Sequence, residues 1–317
     1  MFGKHKRKIS QTPLVSVIIP NYNHARYLEQ RLDSVFNQTY QNFEVIFLDD
    51  CSTDNSLEII EKYKDNPHLS QVVANETNSG SSYKQWDKGI KLAKGELIWI
   101  AESDDYCKPF FLQELLSNYK EGVTLMFSRS VKVDGAGCAS HYNHQDNLTM
   151  AYFGSGKEFV KLYMVDRNSV ANASSALFSR HCASTIDDFW CSKMRGEGDW
   201  MLWVKIMEKG DVVFVNEELN YFRFHENNTT KESLIMGIGD YEHRFVFDYL
   251  VQRGYIEKKS RQSERLKWIK SYIRREYFSK QIKAMVLNQW DRFYFYRVLL
   301  LFLQLKKKVL KVCGFSD

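Results

Sequence analysis

Two short acidic clusters, each set directly behind an apolar run, constrain this chain more than anything else in it: Leu48-Asp49-Asp50-Cys51-Ser52-Thr53-Asp54 and Ile100-Ala101-Glu102-Ser103-Asp104-Asp105. Runs such as 43–48 and 97–101 read as strands buried on both faces, the pattern of parallel sheets covered by helices. Carboxylates placed immediately after them emerge beyond the strand C-termini, where open α/β sheets bind ligands. Neighbouring carboxylates repel one another, whereas a divalent ion bridging them to a diphosphate turns that repulsion into binding. Oxygen donors of this kind suit magnesium or manganese.

The rest of the chain fits such a sheet. Residues 15–20 predict a first strand, followed by a turn at Asn21-Tyr22-Asn23 and a helix with Leu28, Leu32, Val35 and Phe36 at helical spacing. A second strand at 43–48 leads to a helix with Leu57, Ile60 and Tyr63 on one side, then a short strand around Val72-Val73. Beyond Asn78-Ser79-Gly80, the residues Tyr83, Trp86, Ile90 and Ala93 step by three and four, and Lys94-Gly95 ends that helix before a strand at 96–101. This alternation predicts a doubly wound, mainly parallel α/β sheet. Further on we expect a helix from Pro109 through Leu116, strands at 123–127, 173–178 and 212–215, a helix at 200–207, and helices from about 234 onward. The polar, glycine-rich stretch 134–156 reads as a long loop over the site.

Composition narrows the class. A chain of 317 residues with 44% apolar and 26% charged side chains is an ordered globular protein. No secretory signal is expected, because Lys4-His5-Lys6-Arg7-Lys8 is followed by an apolar run too short for a signal core. The longest later candidate, 293–305, contains Arg297 and falls short of the ~20 apolar residues that span a bilayer. The expectation is therefore a cytoplasmic protein without a transmembrane helix. Six cysteines lie scattered, with no Cys-x-x-Cys pair and no zinc spacing, as free thiols in a reducing compartment would.

Charge is unevenly spread. Residues 251–317 hold 17 Lys and Arg against 5 Asp and Glu, a net of +12, which leaves the preceding 250 residues at −7. Within that tail Leu266, Ile269, Ile273 and Tyr277 recur at helical steps among Lys267, Lys270, Arg274 and Arg275. Such a cationic amphipathic segment fits an anionic membrane surface. A helical subdomain that packs on the body or forms a homodimer fits it equally. No nucleic-acid recognition motif accompanies the charge, so nucleic acid is not expected as a partner.

The order of motifs resembles the family 2 glycosyltransferases, nucleotide-sugar-dependent enzymes of GT-A fold. The matching pieces are Val15-Ser16-Val17-Ile18-Ile19-Pro20-Asn21-Tyr22-Asn23, the Asp49-Asp50 cluster, Asn78-x-Gly80, Lys94-Gly95-Glu96 and Glu102-x-Asp104-Asp105. Five in order over roughly 14–230 make the likeness specific. It implies a basic segment at 1–13, a GT-A domain at 14–230 and a helical extension at 231–317. It also implies a nucleoside-diphosphate sugar as donor, Mn²⁺ or Mg²⁺ as cofactor, and a glycan or lipid-linked glycan as acceptor, with attachment to the cytoplasmic face of the inner membrane through the tail.

The resemblance assigns residues as well. Pro20 and Tyr22 would border the nucleotide, Tyr22 with its ring against the base, and Asp50 would accept from the base imide, as a neutral base needs a flat apolar face and an acceptor. A core position is the alternative for Tyr22. Asp49, Ser52 and Asp54 suit bracing or capping of the turn. Asp104 would face the ribose and diphosphate, and the divalent ion would sit at Asp104 and Asp105, with Asp105 the favoured ligand. Glu102 stands where many relatives have Asp.

Gly196-Glu197-Gly198-Asp199-Trp200 is similar to the Glu-Asp-Trp element that carries the catalytic base, which makes Asp199 the base, with Glu197 able to share or replace it because Gly198 separates the pair. Tyr221-Phe222-Arg223-Phe224-His225 matches the Arg-x-His strand, placing Arg223 at the diphosphate and His225 at the metal. Together these imply an inverting transferase. The processive Gln-x-x-Arg-Trp signature is broken at Leu266, so one sugar per binding event is expected. A nucleotidyltransferase of related fold and a catalytically silent scaffold are the rival readings. Against the first stands the missing glycine-rich phosphate loop after Pro20; against the second stand Asp50, Asp104, Asp105 and Asp199.

Overall fold

Strands and helices alternate from the first described residues of the computed structural model, which describes 12–139, 148–170, 172–225, 228, 233 and 236–257. The basic N-terminal segment up to residue 11, part of the expected loop (140–147) and the cationic tail from 258 lie outside the described residues. In chain order the elements are β1 (Val15–Asn21), α1 (Ala25–Phe36), β2 (Phe43–Asp49), α2 (Ser56–Glu61), β3 (Leu69–Ala74), α3 (Ser82–Leu92), β4 (Leu97–Ile100) and β5 (Tyr106–Cys107). There follow α4 (Phe111–Leu116), β6 (Val123–Val133), β7 (Tyr152–Ser155), α5 (Gly156–Tyr163), a 3-10 turn (Ala173–Ser175), β8 (Ala176–Ser179), α6 (Arg180–Ala183), α7 (Phe189–Ser192), α8 (Gly198–Met207), β9 (Asp211–Arg223) and α9 (Ile238–Gln252).

The sheet order is β3-β2-β1-β4-β8-β6-β9-β5, with β7 also pairing β9. β1 pairs in parallel with both β2 and β4, and all seven of its residues are buried. The two acidic clusters follow the C-terminal ends of its neighbours, so both open on the same edge. Among the described strands only β8, β5 and β7 run against the others.

Alternation along β1 divides the core in two. Val15, Val17 and Ile19 join Leu28, Leu32 and Val35 of α1, with Phe111 and Leu115 of α4, on one side of the sheet. Ile18 joins Trp86, Trp200, Trp203 and the α9 residues Val246 and Leu250 on the other. Full burial of each of these Leu, Val and Phe side chains contributes roughly 1.5–3 kcal/mol. Gly89 lets α3 sit on β1: a Cβ there would stand 2.4 Å from Ile18 Cγ2.

The structure redraws some expected elements. The 173–178 stretch begins as a 3-10 turn, which lets Ser174 accept from Trp99 Nε1 through its carbonyl and from the Glu102 amide through its hydroxyl. The strand expected at 212–215 runs through Arg223, because its far half pairs with β5 and the extended β6. The 134–156 stretch ends in β7, whose Tyr152 and Phe153 pair along β9. Lys94-Gly95-Glu96 lies at the opposite end of β4 from the acidic cluster, where the Lys94 amide donates to Glu44 and the Gly95 amide to Ser16. Among the described residues no helix is long and apolar enough to cross a membrane, and the five described cysteines are free.

Candidate active site

Three groups of side chains gather at the C-terminal edge of the sheet. The first is built by the loops after β1 and β2. Pro20 and Asn21 close β1 in buried positions, and the Tyr22 ring that follows is 46% exposed, outside the core. Asp50 is buried, and its Oδ1 accepts from Asn75 Nδ2, the Ser79 amide and Gln85 Nε2, while Oδ2 accepts from the Ser79 hydroxyl. Asp49 braces the turn, accepting from Asn21 Nδ2 and the Ser52 amide. Asp54 accepts from the Ala25 amide at the start of α1 and from the Ser56 amide at the start of α2. Asn23 and Cys51 both take left-handed backbone conformations, φ 56° and 65°, to make these turns.

The second group surrounds the turn after β4, where the adjacent aspartates diverge. Asp104 Oδ2 lies 3.0 Å from His225 Nε2, and one nitrogen of His24 joins them: ligand atoms of the three lie within 4.8 Å of one another. His24 Nδ1 is itself 2.8 Å from the Ser103 hydroxyl. Burial works to raise the Asp104 carboxyl, but the His225 hydrogen bond and the two imidazoles outweigh it and hold it below its ordinary value. Burial lowers His24, favouring the neutral ring that can ligate a metal. One carboxylate and two imidazoles form a mixed oxygen and nitrogen donor set that could hold a divalent metal ion.

Asp105 turns inward instead. Its oxygens accept from the Arg223 amide and Asn172 Nδ2, and its carboxylate is 3.9 Å from the guanidinium of Arg31, which is fully buried. Asn172 ties this point to Ser130 and Asn220. Arg223 is also committed to the protein. Its Nε donates to the Asp104 carbonyl, Nη1 to the carbonyls of Asp134 and Gly135, and Nη2 to Gln30 Oε1. The Tyr27 and Tyr106 rings lie 4.6 and 5.3 Å from it. The turn from Asp134 thus packs beside the Asp104 group, with Tyr27 and His225 next to Gly135.

The third group is Asp199, in the first turn of α8. It lines one cleft together with His24, Glu102, Asp104 and Arg195. Its Oδ2 accepts from Asn168 Nδ2 at 2.9 Å, and the Tyr83 hydroxyl is 3.3 Å from Oδ1. Burial pushes its carboxyl up to about 6. Glu197 is absent from that cleft and lies toward Gly239. The inserted Gly198 has a steric reason: a Cβ there would meet the Trp190 carbonyl oxygen at 2.4 Å and the Tyr83 ring at 2.6 Å. Glu102, on the cleft wall, accepts from Trp86 Nε1, and burial, with the neighbouring Asp104 and Asp105, pushes its carboxyl well above the usual range.

Residues 16–186, more than half of the chain, match the sequence profile of Glycosyl transferase family 2. The chain belongs to this family. As a family 2 member it is 39% identical over 108 residues to Glycosyltransferase GlyG of Streptococcus pneumoniae, a match covering 34% of this chain and only 36% of GlyG. A longer match, 28% identical over 217 residues, links it to the putative teichuronic acid biosynthesis glycosyltransferase TuaG of Bacillus subtilis and covers 68% of this chain and 81% of TuaG. Its fold resembles S. aureus TarS in complex with UDP-GlcNAc, with a TM-score of 0.62 at 20% identity, covering 87% of this chain and 72% of that one. The mainly parallel sheet flanked by helices is the GT-A architecture of such neighbours.

Several residues of this family 2 site carry no signal in the sequence taken alone. Arg31 occupies an apolar helix face where a long polar residue reads as solvent-exposed, and His24 reads as a helix-start residue. Asn172 and Gln85 acquire meaning only through partners 67 and 35 positions away.

Proposed function

We infer that the protein transfers a sugar from a nucleoside diphosphate to an acceptor hydroxyl by a single, inverting displacement, one sugar per binding event. One observation carries this reading: a metal-competent cluster at Asp104 and a carboxylate with a raised pKa at Asp199 line the same cleft. A base that titrates about one unit below neutral is ionised at pH 7 yet basic enough to take a proton in the transition state. Asp199 accepts the acceptor's hydroxyl proton as that oxygen bonds to the anomeric carbon. The bond from that carbon to the diphosphate breaks, and the diphosphate leaves with the electron pair.

Asp104, His225 and His24 would hold the divalent ion, which supplies charge neutralisation for the leaving diphosphate. Asp105 and Arg223 then serve as the inward brace that presents Asp104. Tyr22 offers the base its exposed ring, Asp50 an acceptor held in place by four hydrogen bonds, and Pro20 the wall between them. The UDP-GlcNAc bound by TarS supports a uridine diphosphate donor. The likeness to TuaG, a putative teichuronic acid biosynthesis glycosyltransferase, supports a cell-surface glycan acceptor. A cytoplasmic site of action, with the cationic tail against the membrane, completes the reading.

Calorimetry with UDP, GDP, dTDP and CDP, with and without Mn²⁺, tests it on wild type, Asp104→Asn and Asp199→Asn. The expected result is metal-dependent binding of one nucleotide, lost in Asp104→Asn and kept in Asp199→Asn, with donor consumption absent from both. Failure of every nucleotide to bind would overturn the reading in favour of a silent scaffold.

A further inference from the structure

Helix α9 follows the family match, yet it sends a carboxylate to the turn that launches α8. Glu242 is buried, 3% exposed, and takes three consecutive backbone amides: Arg195 at 2.7 Å through Oε1, Gly196 at 2.8 Å and Glu197 at 2.9 Å through Oε2. A carboxylate is costly to bury without such partners, and charge-assisted bonds from amides at a helix N-terminus are among the strongest it can make. The tie comes from outside α8, whose own N-cap residue, Glu197, makes no side-chain capping bond to it. Contact is close throughout: a Cβ on Gly196 would stand 2.4 Å from Ser233 Oγ and 3.0 Å from the Gly239 nitrogen. Asp199 follows the clamped turn by two residues.

We propose that Glu242 is a positioning residue that sets Asp199 for proton transfer by clamping the 195–197 turn; this rests on the reading of Asp199 as the base. Glu242 does not line the cleft and touches no reacting group; it holds the turn, and its nearby charge adds to the burial that raises the Asp199 carboxyl. The functional unit accordingly extends through α9. A second, separate tie holds the other end of α9: Tyr249 donates its hydroxyl to Glu208 Oε2 at 2.6 Å and Arg253 donates Nε to Glu208 Oε1 at 2.8 Å, just past the C-terminus of α8. The two ties can be cut independently, which separates positioning from docking of the helix.

The test compares Glu242→Gln, Tyr249→Phe and Asp199→Asn in the full chain, using the sugar nucleotide of whichever base calorimetry selects. Glutamine keeps the length of Glu242 but turns an NH₂ toward backbone donors. Expected for Glu242→Gln are faster hydrogen exchange at the 195–197 amides and a kcat for donor consumption lowered by about 10–100-fold, the range that a small misplacement of a reacting group produces. Its KM for the donor should stay within about twofold, because the nucleotide loops belong to β1 and β2. Tyr249→Phe should lower the melting temperature while leaving kcat within about twofold.

A kcat within about twofold of wild type in Glu242→Gln, with the 195–197 amides exposed and Asp199→Asn inactive, would overturn the clamp alone. An equal loss of kcat in Tyr249→Phe would overturn it too, by showing that any loosening of α9 suffices. Full activity in Asp199→Asn would overturn the base assignment itself. Unchanged exchange at 195–197 in Glu242→Gln would overturn the clamp by showing that the three amide bonds do not hold the turn.

Discussion

Replacing Asp199 with asparagine should abolish transfer and stabilise the fold at the same time, by an amount set by where its carboxyl titrates. Burial holds Asp199 at about 6 against an ordinary 3.8, overcoming the Trp200 amide and the Tyr83 hydroxyl, which favour the anion. Because the folded-state value is the higher one, the native state binds the proton more tightly. Stability therefore declines as pH rises from ~4 to ~6, and the deficit is complete above that range. The two values correspond to a deficit of ~3 kcal/mol at pH 8 and about half that at pH 5.

Asparagine has no charge to desolvate but gives up one acceptor, toward Asn168 or Tyr83, worth ~1 kcal/mol. The net gain is then ~2 kcal/mol at pH 8 and roughly 0.5 at pH 5. At ~2 °C per kcal/mol for a chain of this size, the melting temperature should rise by ~4 °C at pH 8 and by ~1 °C at pH 5. Thermal melts followed by circular dichroism at the two pH values measure both differences. A variant that melts at or below wild type at pH 8, or a difference that does not shrink at pH 5, would refute the reasoning. In wild type, donor consumption should fall as pH drops through about 6, where the base takes up its proton.

Asp105→Ala takes the acceptor away from the buried Arg223 amide and Asn172 and should destabilise the fold by ~1–3 kcal/mol, read as a lower urea midpoint. Cys51 holds φ 65°, a conformation that glycine adopts without a Cβ clash, so Cys51→Gly should raise stability by ~0.5–1 kcal/mol with nucleotide affinity retained. Gly198→Ala drives a Cβ toward a backbone oxygen that cannot move aside and should cost at least ~2 kcal/mol, with loss of donor consumption even at temperatures where the variant is folded.

The central strands and the place where the site opens were legible because their signal is local. The apolar run 43–48 and the carboxylates behind it require no knowledge of distant residues, and neither does the helical spacing of Tyr83, Trp86 and Ile90. What was not legible depends on direction and on partners. Nothing in the Asp104-Asp105 pair says which carboxylate turns toward Arg31 and which toward the histidines; that follows from Asn172 and the Arg223 amide. Arg223 reads as a phosphate ligand by type, yet carbonyls supplied by the Asp104 and Asp134 turns occupy its fork. Glu242 looks like any charged residue on a mixed helix until folding brings the 195–197 amides within hydrogen-bonding reach of its carboxylate.

The bond between His225 and Asp104 closes a loop of 121 residues, and the Tyr83 contact with Asp199 closes one of 116. Contacts that distant along the chain form slowly, because each must first overcome the entropy of a long loop. The cleft has no local precursor in the chain: the residues proposed to hold the ion and to act as base meet only when these long loops have closed. On the proposed reading, recovery of metal-dependent nucleotide binding during refolding should therefore lag behind the signal from helix content.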